Sequence, residues 1–372
     1  MESAIHGRKG RRSRATSEAG ARGAGAAVMR KISFRPSGAG LQGGTPAPKT
    51  LRARGCSCAG GSTPPRGRRM NKRRAGSSHW NALRLRAPLT SRPPRAMIDV
   101  LRPLFPGALA PLAQRLHAGP APGGAWPGAR LLEPPQLEAL LRRYAAAVWG
   151  LQGPAAKDLR AAASAWVLDT LGVLVPPVAA AASVLGHVFP VDLEGLCLDL
   201  AADGRVRGIY LGGIGTALPG APAAQRYAPL VWQHWAPLFA ALEQVARVPQ
   251  KVLWSNAARH LEAVLEQAVR LAPQQPAIAQ DAADLLQAPL WPDDGGPRAN
   301  PLCRPRRVVA MATAQGTESV ALHRECCLYY RLPGEGYCGR CPLDPRHRAP
   351  PAGRRPDACA DAPDAAQPAG PG

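Results

Sequence analysis

Apolar positions along the chain change period several times, and each change marks an element. Over 136–149, Leu137, Leu140, Leu141, Tyr144 and Val148 fall on one helical face, while Glu138, Arg142 and Arg143 turn outward. Pro134-Pro135 stands at the start of that helix, where the missing N–H costs nothing. A second helix is predicted from about Ala155 to Leu174, ending before Pro176. The period then drops to two. Leu196, Leu198 and Leu200 alternate with Cys197 and Asp199, Asp203-Gly204 follows, and Val206 to Leu211 resumes in strand-like residues. Asp-Gly between two such runs predicts a β-hairpin at 195–211, because glycine accepts the positive φ of the turn. Helical spacing returns at 226–243 through Val231, Trp235, Leu238 and Leu242. It is clearest at 252–271 through Ala257, Leu261, Val264, Ala268 and Leu271, with Arg259, Glu262, Glu266 and Arg270 off the stripe. Trp232, Trp235 and Trp254 fall on these helices as core. The Pro/Asp/Gly-rich stretch 290–301 reads as a linker. The fold class is therefore α+β: a mainly helical domain with a small β-hairpin or sheet, followed by a small C-terminal module.

Charge alters the picture at the N-terminus only. The 372-residue chain carries a formal net charge of +22, which at first favours a nucleic-acid partner. Residues 1–96 hold 22 Lys and Arg against Glu2 and Glu18, so nearly all the excess lies there and the remainder is close to neutral. That leader has no periodic apolar pattern and no apolar core of a secretory signal, and is expected to be disordered. Met97 opens ordinary globular sequence and is expected to be the biological start. No specific nucleic-acid function is assigned. The domain boundaries read as a leader 1–96, a mainly helical domain 97–299, a small cysteine-containing module 300–348 and a disordered tail 349–372. The most apolar stretch, 161–186, contains Asp169 and Pro176-Pro177 and is read as core helix, leaving at most peripheral membrane contact.

The chemistry sits near the C-terminus. Cys326, Cys327, Cys338 and Cys341 follow the spacing C-C-x10-C-x2-C, four of nine cysteines within 16 positions. Without an export signal, such clustering favours metal over disulfides. Cys338-Gly339-Arg340-Cys341 forms a turn that can bring two sulfurs to one metal, while Pro333-Gly334 and Gly336 let the chain fold back. Tyr329, Tyr330 and Tyr337 are placed to shield the centre, and His323 and Arg324 to tune it. Four soft thiolates suit an iron–sulfur core or a structural zinc ion. Neighbouring side chains diverge in extended backbone, so the adjacent pair suits a larger cluster better than a zinc ribbon. Cys197 is read as a small buried residue and Cys303 is given no ligand role. Gly212-Gly213-Ile214-Gly215 is read as a loop, since the third glycine of a dinucleotide fingerprint is missing.

The cysteine segment resembles the C-terminal motif of the FhuF-like siderophore-iron reductases. The matching runs are Cys-Cys-Leu-Tyr-Tyr-Arg-Leu-Pro-Gly at 326–334, Tyr-Cys-Gly-Arg-Cys-Pro at 337–342, Leu-Trp-Ser-Asn-Ala at 253–257 and Asn-Pro-Leu at 300–302. The resemblance implies a [2Fe–2S] cluster on Cys326, Cys327, Cys338 and Cys341. It implies a cytoplasmic enzyme, peripheral to the inner membrane at most, that passes one electron to a ferric siderophore, with the hydroxamate type favoured. No flavin or nicotinamide motif is visible, so a separate donor such as a ferredoxin or flavoprotein is expected. The alternative is a non-catalytic siderophore-binding protein with a structural zinc site.

Overall fold

The computed structural model describes residues 97–293, 295–313 and 316–347, all within the compact unit 77–372. The expectations for the leader 1–96 and the tail 349–372 fall outside the described residues. The chain is mainly helical with small sheets, as the hydrophobic pattern predicts.

Helix α1 spans Pro134–Trp149 and ends on Gly150, whose φ of 65° permits the left-handed cap. Leu137, Leu140, Leu141 and Tyr144 are buried on its inner face. Helix α2 spans Arg160–Leu185, later in both start and end than the periodicity indicates. Asp158 accepts the Arg160 N–H at 3.1 Å and fixes the first turn. The helix then runs straight through Pro176 and Pro177. Each proline forfeits a backbone bond, to Gly172 and Val173 respectively, at about 3 kcal/mol apiece. Burial around nearly the whole circumference outweighs that local cost. The same helix is long and apolar enough to cross a membrane, yet 78% of its most apolar 18-residue window is buried inside the protein.

The predicted hairpin is present as β4 (Leu196–Leu200) and β5 (Val206–Leu211), paired antiparallel with Leu198 opposite Ile209. Gly204 turns it at φ 85°. β5 also pairs in parallel with β1 (Leu116–Ala118), and β4 antiparallel with β2 (Trp126–Pro127), giving a sheet of order β1-β5-β4-β2, while β3 (His187–Val188) and β6 (Thr216–Ala217) form a separate antiparallel pair. Trp166 Nε1 on α2 donates to Gly204 O at 3.1 Å, and Tyr144 OH on α1 donates to Asp169 Oδ2 at 2.7 Å, so turn, sheet and both helices are tied together. Cys197 is half-buried rather than buried, because it lies on the opposite side of β4 from Leu196 and Leu198.

The next helical stretch is continuous but not uniform. Helix α3 (Ala223–Ala228) passes into a π-helical segment, Pro229–Trp235, and then α4 (Ala236–Ala246). Pro237 has no N–H for the Gln233 carbonyl, which instead accepts from Leu193 N at 3.4 Å. His234 Nδ1 donates to Val191 O at 2.7 Å, and burial pulls its pKa down to about 4. Helix α5 covers Gln250–Leu271 and packs along α2. Its predicted stripe is buried through Ala268, whereas Leu271 is exposed. Arg259, read as lying off the stripe, is buried, and Trp232 is only half-buried. Helix α6 (Pro276–Leu286), which the periodicity does not show, is locked to α3 by the buried pair Arg226–Asp281 at 2.5 Å.

The stretch read as a linker is a packed hairpin. β7 (Leu290–Trp291) pairs with β8 (Arg298–Ala299), Trp291 is buried, and the Arg298 guanidinium stacks 3.5 Å over Trp232. A third hairpin, β9 (Val308–Thr313) with β10 (Gly316–Ala321), leads into the cysteine segment.

Candidate metal centre

The cysteine segment is a loop folded back on itself around its sulfurs. Leu328, directly after the adjacent cysteines, takes φ 63°, a left-handed conformation costing a branched side chain about 1–2 kcal/mol. That reversal carries the Leu328 N–H to Cys326 Sγ at 3.3 Å and lets the neighbouring side chains part. Tyr329–Arg331 form one 3-10 turn, and Gly334 at φ 76° reverses the chain again. Cys341 N then bonds Cys338 O at 3.0 Å, the tight turn expected around Gly339. His323 N to Arg340 O at 2.9 Å closes the neck of the loop.

The structure brings all four predicted cysteines together, in a crossed arrangement. Cys341 Sγ lies 3.6 Å from Cys326 Sγ, and the Cys338 thiol donates to the Cys327 sulfur. The closest partners are therefore first with fourth and second with third, rather than the two sulfurs of the C-x2-C turn. Two thiolates on one tetrahedral metal, each about 2.3 Å from it, stand about 3.8 Å apart, so the 3.6 Å pair has the spacing of co-ligands. Among the described residues no three His, Cys, Asp or Glu side chains meet around a single point. Two pairs of soft sulfurs fit a two-iron centre, which takes two thiolates per iron, better than one tetrahedral ion.

Electrostatics divide the sulfurs. Donation from Cys338 lowers the Cys327 pKa, with the Arg259 cation adding to the effect. Cys338 is raised by that same shared hydrogen and by burial, and burial raises Cys326. Cys326, Cys327 and Cys341 are buried and Cys338 is half-exposed. Beside Cys338, Tyr337 is 40% exposed and stacks on Tyr330 at 4.7 Å. Tyr329 instead packs edge-on against Trp149 of α1 at 5.4 Å.

The helical body holds the loop through polar side chains. Ser164 on α2 donates to Cys327 O at 2.8 Å and accepts from Asn256 Nδ2 on α5 at 2.9 Å. Ser255 Oγ, one residue earlier, accepts Glu325 N at 2.9 Å. Glu262, two turns on, receives Arg306 and stands 4.0 Å from Arg324. Arg324 thus braces the loop through Glu262, Arg304 O and Leu286 O. His347 Nδ1 donates to Cys341 O at 2.7 Å behind the last cysteine. Sequence reasoning did not assign Ser164, Arg259, Glu262 or His347. The available signal was a run of polar residues, Ser255, Asn256, Arg259 and Glu262, at helical spacing on an otherwise apolar helix.

A family profile described as "Ferric iron reductase FhuF-like transporter" matches residues 164–316, and one described as "FhuF 2Fe-2S C-terminal domain" matches 324–343, which contains all four cysteines. The chain is 25% identical over 226 residues to the ferric siderophore reductase of Escherichia coli (strain K12), spanning 60% of this chain and 81% of that protein. Among solved structures, the ATP-bound aerobactin synthetase IucA of Klebsiella pneumoniae overlaps 45% of this chain and 34% of its own at 16% identity and a TM-score of 0.36. The aerobactin synthetase IucC of the same species overlaps 48% of this chain and 36% of its own at 17% identity and a TM-score of 0.34. Body and loop are thus similar to the FhuF-like ferric siderophore reductases, and the loop matches that family's [2Fe–2S] C-terminal domain.

Proposed function

We propose that the protein is a cytoplasmic siderophore-iron reductase in which Cys326, Cys327, Cys338 and Cys341 hold the [2Fe–2S] cluster and a ferric siderophore is reduced by one electron. The observation that carries this reading is the convergence of four sulfurs into two pairs inside the matched domain. When bound, the cluster supplies a one-electron carrier whose potential the surrounding protein sets. The chain buries three of its ligands and leaves the Cys338 edge half-open, so substrate and donor approach from that side. Tyr337, stacked on Tyr330, borders this edge with a flat aromatic surface.

Ferric siderophores hold Fe(III) with hard oxygen donors that bind the larger, less charged Fe(II) far more weakly, so one electron is enough to release the metal. Residues 97–299 are assigned to docking the chelate and 300–348 to holding the cluster. A cleft of about 490 Å³, lined by Arg142, Lys157, Arg160 and Arg247 with Glu138 and Asp158, is joined to the cysteine loop by the Asp158–Arg331 pair at 2.9 Å. It is large enough for a siderophore-sized ligand. A hydroxamate chelate is the favoured substrate, and a separate ferredoxin or flavoprotein re-reduces the protein.

Anaerobic titration tests the reading. Dithionite is expected to bleach the visible absorption of the purified protein. A ferric hydroxamate siderophore is expected to restore it, with Fe(II) captured by a ferrous-specific chelator. A colourless protein containing zinc and no sulfide would instead establish the non-catalytic alternative.

A further inference from the structure

Helix α5 presents a polar strip to the cysteine loop at i, i+1, i+4 and i+7. Ser255, Asn256 and Glu262 on that strip have partners: Glu325 N, Ser164 Oγ, and Arg306 with Arg324. Arg259, between them, is different. It is buried at 9% exposure, and its Nε–H has no hydrogen-bond partner among the described residues. Its cation bears on both Cys327 and Cys338, the inner sulfur pair. Burying a guanidinium without a counter-anion is costly, as is burying an unpaired N–H. Both costs are removed if the anion is the metal centre itself, with thiolate or sulfide sulfur as acceptor.

We infer that Arg259 is the built-in counter-cation of the cluster, a positioning residue that raises the reduction potential by stabilising the more negative, reduced state. The inference rests on the four cysteines holding the cluster as proposed above. Reduction adds one negative charge to a centre that is already anionic, while Arg259 keeps a fixed positive charge in a site that excludes water. Its attraction therefore grows on reduction, and hydrogen bonding to sulfur acts in the same direction. No proton moves: the guanidinium stays charged in both states. The nearby guanidinium of Arg324 is already committed to Glu262 and two carbonyls.

The test uses full-length protein whose iron and sulfide content is measured first, then titrated anaerobically by spectroelectrochemistry. Arg259→Gln is expected to lower the reduced-to-oxidised ratio at a fixed ambient potential by about tenfold or more, about 59 mV for a one-electron couple. Arg259→Lys, which keeps charge but loses the planar fork, is expected to recover most of that difference. A loaded Arg259→Gln protein with an unchanged potential overturns the inference, as does a Lys variant as low as the Gln variant. A second measurement needs no variant to fold. In reduced wild-type protein labelled with 15N-arginine, pulsed electron paramagnetic resonance is expected to show hyperfine coupling to an arginine nitrogen, and its absence overturns the assignment. Wild-type protein without iron or sulfide would instead sink the cluster reading itself, so the two failures are distinct.

Discussion

The helical body and the cysteine loop are held in opposite ways. In the body, Trp166, Trp235, Tyr144, Tyr227, Phe189 and Phe239 are wholly buried and regular helices satisfy the backbone. Between Cys326 and Cys341 the regular structure is one 3-10 turn, and two reversals depend on left-handed residues, one of them the non-glycine Leu328. Apolar burial is spread over many contacts, so the body can form without the metal. The loop relies on a few hydrogen bonds, with Ser164 (itself held by Asn256) donating to Cys327 O and Ser255 accepting from Glu325 N, and on whatever its sulfurs bind. Metal free energy is folding free energy for such a segment. The contrast teaches that damage to the loop should erase the centre while sparing the helices, and damage to the body should do the reverse.

The largest effect is expected from replacing Cys326, Cys327, Cys338 or Cys341 singly by serine. Each variant should lose visible absorption, bound iron and iron release while its far-ultraviolet helical signal is kept; a fully pigmented variant removes that residue from the ligand set. Trp235→Ala attacks the other region and is expected to cost about 3–5 kcal/mol by urea unfolding. Ser164→Ala probes the seam, leaving Cys327 O and the Asn256 amide short of a partner, at about 1–3 kcal/mol. It should also speed loss of colour under a chelator, which Trp235→Ala at matched native fraction should not.

His234 gives the body its own pH dependence. Its folded pKa of about 4 lies below the ordinary 6.5, so the unfolded chain takes up a proton that the folded chain refuses. The stability this histidine withholds is absent near neutrality and grows as a loss when pH falls from about 6.5 toward 4. Between pH 7 and 5 the wild type should lose about 2 kcal/mol more than His234→Gln, measured as the difference in unfolding free energy. Arg331→Ala, which breaks a half-exposed pair with Asp158, should change stability by less than about 1 kcal/mol.

Much of the body was legible because amphipathic periodicity is a local property. α1, α5 and the β4–β5 hairpin stand where the spacing of Leu, Tyr and Val places them. The failures share a cause: tertiary packing overrode a local rule. Pro176-Pro177 stops a helix in isolation, but α2 is buried on nearly every side and continues. The 290–301 stretch has linker composition, yet Trp291 finds a pocket beside Trp232 and the segment becomes a hairpin. Arg259 has the chemistry of a surface residue, yet it is buried where its cation acts on Cys327 and Cys338.

What the sequence determined alone is the donor set: the C-C-x10-C-x2-C spacing, with its glycine and proline breaks, offers four soft thiolates that suit an iron–sulfur core or a zinc ion, and the family resemblance selects the cluster. Only the tertiary structure decided which sulfurs neighbour which, because the crossed pairing follows from the backbone reversal at Leu328 and from side chains on α2 and α5 that are 70 or more positions away. Spacing fixes which ligands can be near one another, while their relative placement is set by long-range hydrogen bonds and burial that no local pattern encodes.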